Sequence, residues 1–221
     1  GLLTEGNIHA SLEHLIALIN LAKKNKISKI NLHIFSDGKD SKPKSVLKIF
    51  KNLNAKIDSQ INFSSVSGRY YAMDRDGHWD KTQKTYEVMT GSGPESKNIE
   101  EAAKIAYDRN LTDQQIEPRI LSKENAVNSN DALLFFDFRE DSRRQIVSPF
   151  VLADFSEFPL KKLDNLYVGT MTHYSDKFNV PVAYPPEKIE NPLGQVLADN
   201  NKTQLHIAET EKYAHITYFF N

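Results

Sequence analysis

Cysteine is absent from the 221 residues of this chain. The sequence therefore excludes disulfide bonds, a thiolate nucleophile and any zinc site that is built on cysteine ligands. Because stable disulfides belong to oxidising compartments, the absence also agrees with a cytoplasmic protein, which is the location that we expect.

Long apolar runs are absent as well. No run approaches the roughly 18 residues that a membrane-spanning helix needs, so no membrane span is predicted, and no segment has the pattern of a signal peptide. Neither sign of charge dominates, since 28 Lys and Arg face 29 Asp and Glu. The sequence thus gives no reason to expect a nucleic-acid surface, and an anion site must come from local clustering of basic residues.

The common catalytic motifs are missing too. The sequence contains no P-loop, no GxGxxG and no GxSxG, so no motif supports a nucleotide site or a serine nucleophile. His78, His173 and His206 have no neighbours that would make a metal site, and the sequence has no HxxxH pattern on one helix and no dense His/Asp cluster, so we predict no metal site in this chain. We interpret His14 as a helix-surface or core residue and His33 as the interior residue of a strand.

The apolar residues that are present, 39% of the chain, are enough for a substantial core and alternate between helical and extended spacing. The predicted helices cover residues 11–25, 43–53, 80–89, 98–110, 193–199 and a stretch ending near residue 151. The predicted strands cover residues 29–35, 61–66, 132–138, 166–172, 204–210 and 215–220, and residues 180–192 are interpreted as a proline-rich loop. This order predicts an α/β protein, a three-layer α/β/α fold with a mainly parallel sheet, in one domain over residues 1–221.

Basic residues follow the predicted strands at the points where those strands end. His9 follows the first apolar residues, Lys39 and Asp40 follow the strand at 29–35, and the stretch SGRYYAMDRD places Arg69 and Arg75 after the strand at 61–66. The strand at 132–138 is followed by Arg139 and its neighbours Asp141, Arg143 and Arg144, and the strand at 204–210 is followed by Lys212. The carboxyl ends of parallel strands meet at one edge of a sheet, so this pattern predicts an anion pocket lined by guanidinium groups.

An ordinary interpretation competes with this one. A single arginine after a strand is most often a surface residue with a carboxylate partner. RYYAMDR alone can be a solvated turn in which Arg75 pairs with Asp74 or Asp76.

Several longer stretches resemble one enzyme family. They are LLTEGNIH, IFSDGKDSKPKS, SGRYYAMDRDGHWD, FFDFREDSRR, VGTMTHY, VPVAYPPE and AETEKYAHITYFFN, and they cover essentially the whole chain. Together they resemble the cofactor-independent (2,3-bisphosphoglycerate-independent) phosphoglycerate mutases. The resemblance implies an isomerase of glycolysis and gluconeogenesis that interconverts 3-phosphoglycerate and 2-phosphoglycerate.

The resemblance is to one domain of that two-domain enzyme, the inserted substrate-binding (phosphotransferase) domain. It implies that the phosphatase-like domain, which carries two manganese ions and a serine that becomes phosphorylated, lies outside this chain. No cofactor is then expected here, and the chain by itself is expected to be inactive. The implied partners are 2-phosphoglycerate or 3-phosphoglycerate and the metal-binding domain of the same polypeptide, with no nucleic acid and no membrane.

The resemblance also assigns site residues. The family's substrate-binding positions fall on His9, Lys39, Asp40, Arg69, Arg75, Arg139 and Lys212, with Asp40 as the catalytic acid and base. The chain departs from the family pattern at Lys39, where arginine is usual, at the altered stretch NIHAS, and at Ser142, where the FRxDR pattern has arginine. Arg143 is the neighbouring basic residue, and whether it reaches the pocket stays open at this point. These departures keep a second hypothesis open, a non-catalytic module that binds a phosphorylated ligand or a protein partner.

Overall fold

A computed structural model describes residues 1–58, 61–187 and 189–217 of the chain, apart from the side chains at positions 211 and 214. The chain divides into two compact units, Gly1–Pro185 and Pro186–Asn221. No helix in the described part of the chain is both long and apolar enough to cross a membrane. The single domain over residues 1–221 stays a prediction.

The first unit alternates strands and helices. Its strands are β1 (Leu2–Leu3), β2 (Ile30–Ser36), β3 (Ile61–Gly68), β4 (Arg119–Ile120), β5 (Ala132–Phe135), β6 (Tyr167–Thr172) and β7 (Val182–Tyr184). Its helices are α1 (Leu12–Lys24), α2 (Val46–Asn54), α3 (Arg69–Ala72), α4 (Trp79–Met89), α5 (Ile99–Asp108) and α6 (Arg144–Val151). The second unit contains α7 (Leu193–Asp199) and α8 (Tyr213–Ile216).

The strands form two hydrogen-bonded sheets, ordered β1-β2-β3-β4 and β5-β6-β7. All neighbours run parallel except β4, which pairs antiparallel with β3. The predicted α/β class with mainly parallel strands is therefore confirmed, with the strands shared between two sheets. Parallel strands need a covered surface, and the buried apolar residues of β2, Leu32, Ile34 and Phe35, belong to the main core.

Local capping signals explain where α1 and α5 begin. The Ser11 side chain accepts a hydrogen bond from the backbone N–H of Glu13 and caps α1, and Asn98 caps α5 through the N–H of Glu101. The start of α2 has a different origin, because the carboxylate of Asp113 accepts the backbone N–H groups of Ser45 (2.7 Å) and Val46 (2.8 Å). A tertiary partner thus starts α2 at Val46, three residues after the start at Pro43 that the sequence predicts.

The structure corrects four local predictions. Residues 182–184 form strand β7 within the predicted loop, and residues 69–72 form the short helix α3 within the predicted turn. The segment 204–210 is not a strand, and residues 215 and 216 end α8, while 218–220 lie outside the described residues. Short apolar runs do not distinguish a strand from a helix end by periodicity alone, and these segments are short.

Gly68 lets the chain turn from β3 directly into α3. A Cβ atom at this position would lie 2.2 Å from the carbonyl oxygen of Gln114, a distance that no real contact reaches. The backbone N–H of Gly68 also donates to the carbonyl oxygen of Ile116 at 2.7 Å. The close approach of these two backbones requires glycine, and it fixes the origin of the next residue, Arg69.

A buried ion pair anchors the chain after β5. Arg143 Nη2 lies 3.0 Å from Asp137 Oδ1, and both side chains are fully buried. The guanidinium stacks over the Phe35 ring at 5.0 Å and donates to the carbonyl oxygen of Ala72 at the end of α3. The pair therefore joins the loop after β5 to β2 and to α3.

Removing one partner of this pair should be costly. We expect Arg143→Met to lower the free energy of unfolding by about 3–5 kcal/mol, because it leaves the Asp137 carboxylate buried without its counter-ion. Arg109→Met is the matched control, since Arg109 pairs with Glu117 at the surface, and such a pair contributes at most about 1 kcal/mol. Urea denaturation of both variants measures the difference, and equal losses would contradict the structural role of the pair.

Candidate anion-binding site

Asp37 organises the loop that follows β2. Its buried carboxylate accepts hydrogen bonds from Thr4 Oγ1 (2.6 Å) and from the backbone N–H groups of Lys39, Asp40 and Ser41 (3.2, 3.1 and 2.7 Å). Burial alone would raise the pKa of Asp37, but these hydrogen bonds, with one from a guanidinium, hold the pKa below its ordinary value. The loop is thus wrapped around one ionised carboxylate, which sequence analysis did not select. The run SDGKDS, with an aspartate followed by glycine at a strand end, is the sequence signal by which Asp37 could have been found.

Arg69 joins this loop to the first turn of α3. Its Nη1 atom lies 2.5 Å from Asp37 Oδ1 and 2.9 Å from Asp40 Oδ2. The Arg69 side chain is only 11% exposed, so both contacts are shielded from water. One guanidinium therefore holds two carboxylates, and it brings Asp40, the predicted acid and base, against a fixed cation.

His9 lies between the two halves of the cluster. Its Nδ1 atom is 3.0 Å from Ser142 Oγ and 4.0 Å from Asp141 Oδ1, and its Nε2 atom is 3.9 Å from Asp40 Oδ2. The carbonyl oxygen of His9 accepts the backbone N–H of Phe138 at 2.9 Å, which ties its loop to the end of β5. Burial, reinforced by the charges of Arg69 and other nearby arginines, lowers the pKa of His9 to about 4, so the ring is neutral at pH 7.

Asp141 bridges two arginines that come from different strand ends. Its Oδ2 atom is 2.5 Å from Arg75 Nη1 and 2.8 Å from Arg139 Nη2. Burial would raise the pKa of Asp141, but the hydrogen bond and charge of Arg139, with Arg75, lower it. Arg75 therefore has Asp141 as its carboxylate contact, not the adjacent Asp74 or Asp76 of the surface-turn interpretation.

The structure brings five of the seven predicted site residues into this one connected group: His9, Asp40, Arg69, Arg75 and Arg139. Lys39 contributes its backbone N–H to the Asp37 loop, and its side chain is exposed. Lys212 belongs to the second unit, in a 3₁₀ turn at Thr210–Lys212, and its side chain is exposed. The strand that was to carry it is absent, so the strand-end argument does not apply to Lys212.

The basic residues after Arg139 point elsewhere. Arg143 is buried against Asp137 and does not reach the group. Arg144 donates from Nε to the carbonyl oxygen of Tyr174 at 2.7 Å and lies 3.7 Å from Glu140. From this loop, the Ser142 hydroxyl lies within hydrogen-bond distance of His9, and Asp141 approaches the same ring at 4.0 Å.

The loop after α3 gives His78 carboxylate neighbours that the sequence analysis missed. Asp74, Asp76 and His78 place potential ligand atoms within 4.8 Å of one another, the one such group of three in residues 1–58, 61–187 and 189–217. The Asp74 carboxylate already accepts the N–H groups of Asp76 and His78, the His78 ring and the amide of Gln145. These hydrogen bonds explain why the three side chains lie together: Asp74 holds the loop 74–78 closed and ties it to Gln145.

Comparison with known proteins identifies relatives of the chain. Residues 1–176 match the family model described as the BPG-independent PGAM N-terminus. The 2,3-bisphosphoglycerate-independent phosphoglycerate mutase 1 of Methanosarcina barkeri is 40% identical over 230 residues, which is 100% of this chain and 44% of that protein. The corresponding enzyme of Clostridioides difficile is 41% identical, over 100% of this chain and 45% of its own length.

A solved structure agrees with these sequence matches. The crystal structure of Leishmania mexicana phosphoglycerate mutase at low cobalt concentration superposes with a TM-score of 0.85 at 25% identity, covering 100% of this chain and 44% of that one. The chain thus spans under half the length of the relatives that it matches.

The neutral state of His9 predicts a pH dependence of stability. The pKa of His9 is about 4 in the folded chain and about 6.5 when unfolded. The unfolded chain then binds the proton more readily, so stability falls as the pH drops below about 6.5, and the loss stops growing near pH 4. Between pH 7 and pH 5 we expect His9 to account for a loss of about 2 kcal/mol.

Urea denaturation at the two pH values tests this. His9→Gln should lose less stability on acidification than the wild type. His14→Gln, at an exposed position on α1, is the matched control and should behave as the wild type does. A His9→Gln variant with the full wild-type loss would show that another group carries the effect.

Proposed function

The chain belongs to the BPG-independent PGAM N-terminus family, and from this membership we propose that it is the substrate-holding domain of a 2,3-bisphosphoglycerate-independent phosphoglycerate mutase. The full enzyme interconverts 3-phosphoglycerate and 2-phosphoglycerate through a phosphoserine that a second domain, outside this chain, supplies. The observation that carries the proposal is the connected group of three arginines, His9 and Asp40 after the ends of β1, β2, β3 and β5.

The proposed ligand fits the chemistry of the group. Phosphoglycerate carries a phosphate and a carboxylate, about three negative charges at neutral pH. Arg69, Arg75 and Arg139 offer planar forks that bind such oxyanions through two parallel hydrogen bonds. Lys39 is proposed as a further cation for this ligand, supplying charge without the fork. Lys212 is proposed as a substrate-binding residue on the family resemblance alone.

Asp40 is proposed as the group that moves the proton of the reacting hydroxyl. That hydroxyl alternately attacks and leaves, so it needs a base in one direction and an acid in the other. Asp40 Oδ2 contacts Arg69 at 2.9 Å and lies 3.9 Å from the neutral His9 ring. Because the His9 ring is neutral, it can hydrogen-bond the ligand without placing a further positive charge beside Asp40.

The two manganese ions that the resemblance implies belong, in this proposal, to the second domain. Within the described residues the ligand types gather in threes only at Asp74, Asp76 and His78, where Asp74 is already hydrogen-bonded. A two-metal site does not fit that set. When bound in the other domain, the metals would supply Lewis-acid activation of the phosphoryl transfer.

A non-catalytic phosphate-binding or protein-interaction module is the second candidate. The observation that favours it is Ser142, which stands at the arginine position of the FRxDR pattern and hydrogen-bonds His9. With Arg143 buried, the loop after β5 offers one guanidinium fewer than the family pattern would provide.

The wider setting follows from the first candidate. We propose a glycolytic and gluconeogenic role in the cytoplasm, with 2-phosphoglycerate or 3-phosphoglycerate and the metal-binding domain as partners. The relatives carry the name of the mutase and are more than twice as long as the matched region, which supports a second domain.

The first prediction of this proposal concerns Arg75. We expect Arg75→Lys to weaken phosphoglycerate binding by about tenfold, because lysine keeps the charge but loses the two-pronged contact. The melting temperature should change little, since Arg75 is 54% exposed and an exposed ion pair contributes little to stability. Calorimetric titration of the intact protein measures the affinity, with Arg109→Lys as a surface control. Equal affinities of Arg75→Lys and wild type would refute the anion-holding role.

The second prediction separates the two candidates. The intact protein, supplied with manganese, should convert 3-phosphoglycerate to 2-phosphoglycerate in a coupled enolase assay. The 221-residue chain alone should bind phosphoglycerate without turning it over. Binding by the chain without turnover by the intact protein would favour the non-catalytic module.

A further inference from the structure

The charges of the anion-binding group cancel before any ligand arrives. Three guanidiniums face three carboxylates, Arg69, Arg75 and Arg139 against Asp37, Asp40 and Asp141. His9 is neutral at pH 7, so it adds nothing to this balance. A polyanionic ligand gains the full attraction of the arginines only if one carboxylate gives up its place beside them.

Asp37 is not the carboxylate that gives way. It accepts hydrogen bonds from Thr4, from three backbone N–H groups and from Arg69, and it is almost fully buried. Moving it would leave those backbone donors without an acceptor. Asp40 follows it in the same turn, with its own N–H bonded to Asp37. Its Oδ2 atom lacks a hydrogen-bond partner among the described residues, as Asp141 Oδ1 does, but it lies 2.9 Å from the shielded guanidinium of Arg69, which Asp37 holds in place.

Asp141 is more open to solvent than Asp40: its side chain is 24% exposed against 10%, and its partner arginines are both more exposed than Arg69. The hydrogen bonds that the Asp141 side chain accepts come from Arg75 and Arg139, both at Oδ2. Its other oxygen, Oδ1, is buried and has no hydrogen-bond partner among the described residues. Burying a carboxylate oxygen without a hydrogen-bond donor is unfavourable, so moving Asp141 into solvent would recover part of that free energy. Arg75, 54% exposed, keeps water within reach and is free to follow a ligand.

We propose that Asp141 is an internal counter-ion of this site, which occupies the facing forks of Arg75 and Arg139 until an oxyanion of the ligand replaces it. The inference rests on the proposed function and adds a residue that sets ligand affinity without contributing to the bound contacts. Asp141 Oδ2 marks the point where both arginines converge, so an oxygen of the ligand's phosphate or carboxylate takes that position. The displaced carboxylate then turns toward solvent.

Asp141→Asn tests this, because asparagine keeps the shape and removes the competing charge. Removing one negative charge beside the ligand should tighten 3-phosphoglycerate binding by about fivefold at low salt, and the gain should shrink as added salt screens it. Calorimetry on the intact protein gives the dissociation constants. Glu140→Gln is the matched control, since Glu140 is the adjacent carboxylate and lies 3.7 Å from Arg144, outside the group. It should leave the affinity within about twofold of wild type.

The outcomes separate the inference from its premise. Wild-type binding with equal or weaker binding by Asp141→Asn overturns the inference and leaves the proposed function standing. Equal tightening in Glu140→Gln also overturns it, since the effect would then be one of general charge. No binding by the wild type overturns the proposed function and the inference with it. If Asp141→Asn does not fold, Asp141→Ser replaces it, and failure of both to fold would make Asp141 a structural residue and overturn the proposal.

Discussion

The Asp37 carboxylate is the interaction on which the rest of the site depends. It lies at the end of β2 and gathers one side chain of the β1 loop, three backbone N–H groups of its own loop and the guanidinium of Arg69. These groups come from three separate parts of the chain, Thr4, residues 39–41 and Arg69, so one buried anion sets their relative positions. A charge buried this deeply is stable because both carboxylate oxygens accept hydrogen bonds, and the same donors keep the group ionised. The orientation of Arg69, and through it that of Asp40, follows from this single residue.

The sequence predicted the location of the group well, and its internal partners poorly. The rule that parallel strands end at one edge was enough to bring His9, Arg69, Arg75 and Arg139 together on paper, because it depends only on chain order and strand direction. It placed Asp141 beside Arg139 but could not predict its role, since that role depends on Arg75, which lies 66 residues earlier in the chain. Nor could it predict the direction of Arg143, whose burial depends on Asp137 and on the ring of Phe35.

The failures in the fold have the same cause. The start of α2 depends on Asp113, which lies more than sixty residues further along the chain. Strand β7 exists because β6 offers it an edge, in a segment whose prolines indicate a loop. The segment 204–210 has alternating apolar residues and yet is not a strand. Alternation shows only that a segment suits a β-sheet, and a strand also needs a neighbouring strand with which to form hydrogen bonds. Local pattern was therefore reliable where the element makes its own contacts and unreliable where a distant residue decides.

The position of Arg69 in the site depends on the absence of a side chain at Gly68. The Cα of Gly68 faces the carbonyl oxygen of Gln114 so closely that a methyl group would have to displace one backbone or the other. Either displacement would move the first turn of α3, and with it the base of the Arg69 side chain. A mutagenesis screen scored only on ligand binding would therefore return Gly68 together with the arginines, although glycine has no side chain with which to touch a ligand. In such a screen, binding would be lost when two backbones are pushed apart at Gly68, just as it is lost when the charge of an arginine is removed.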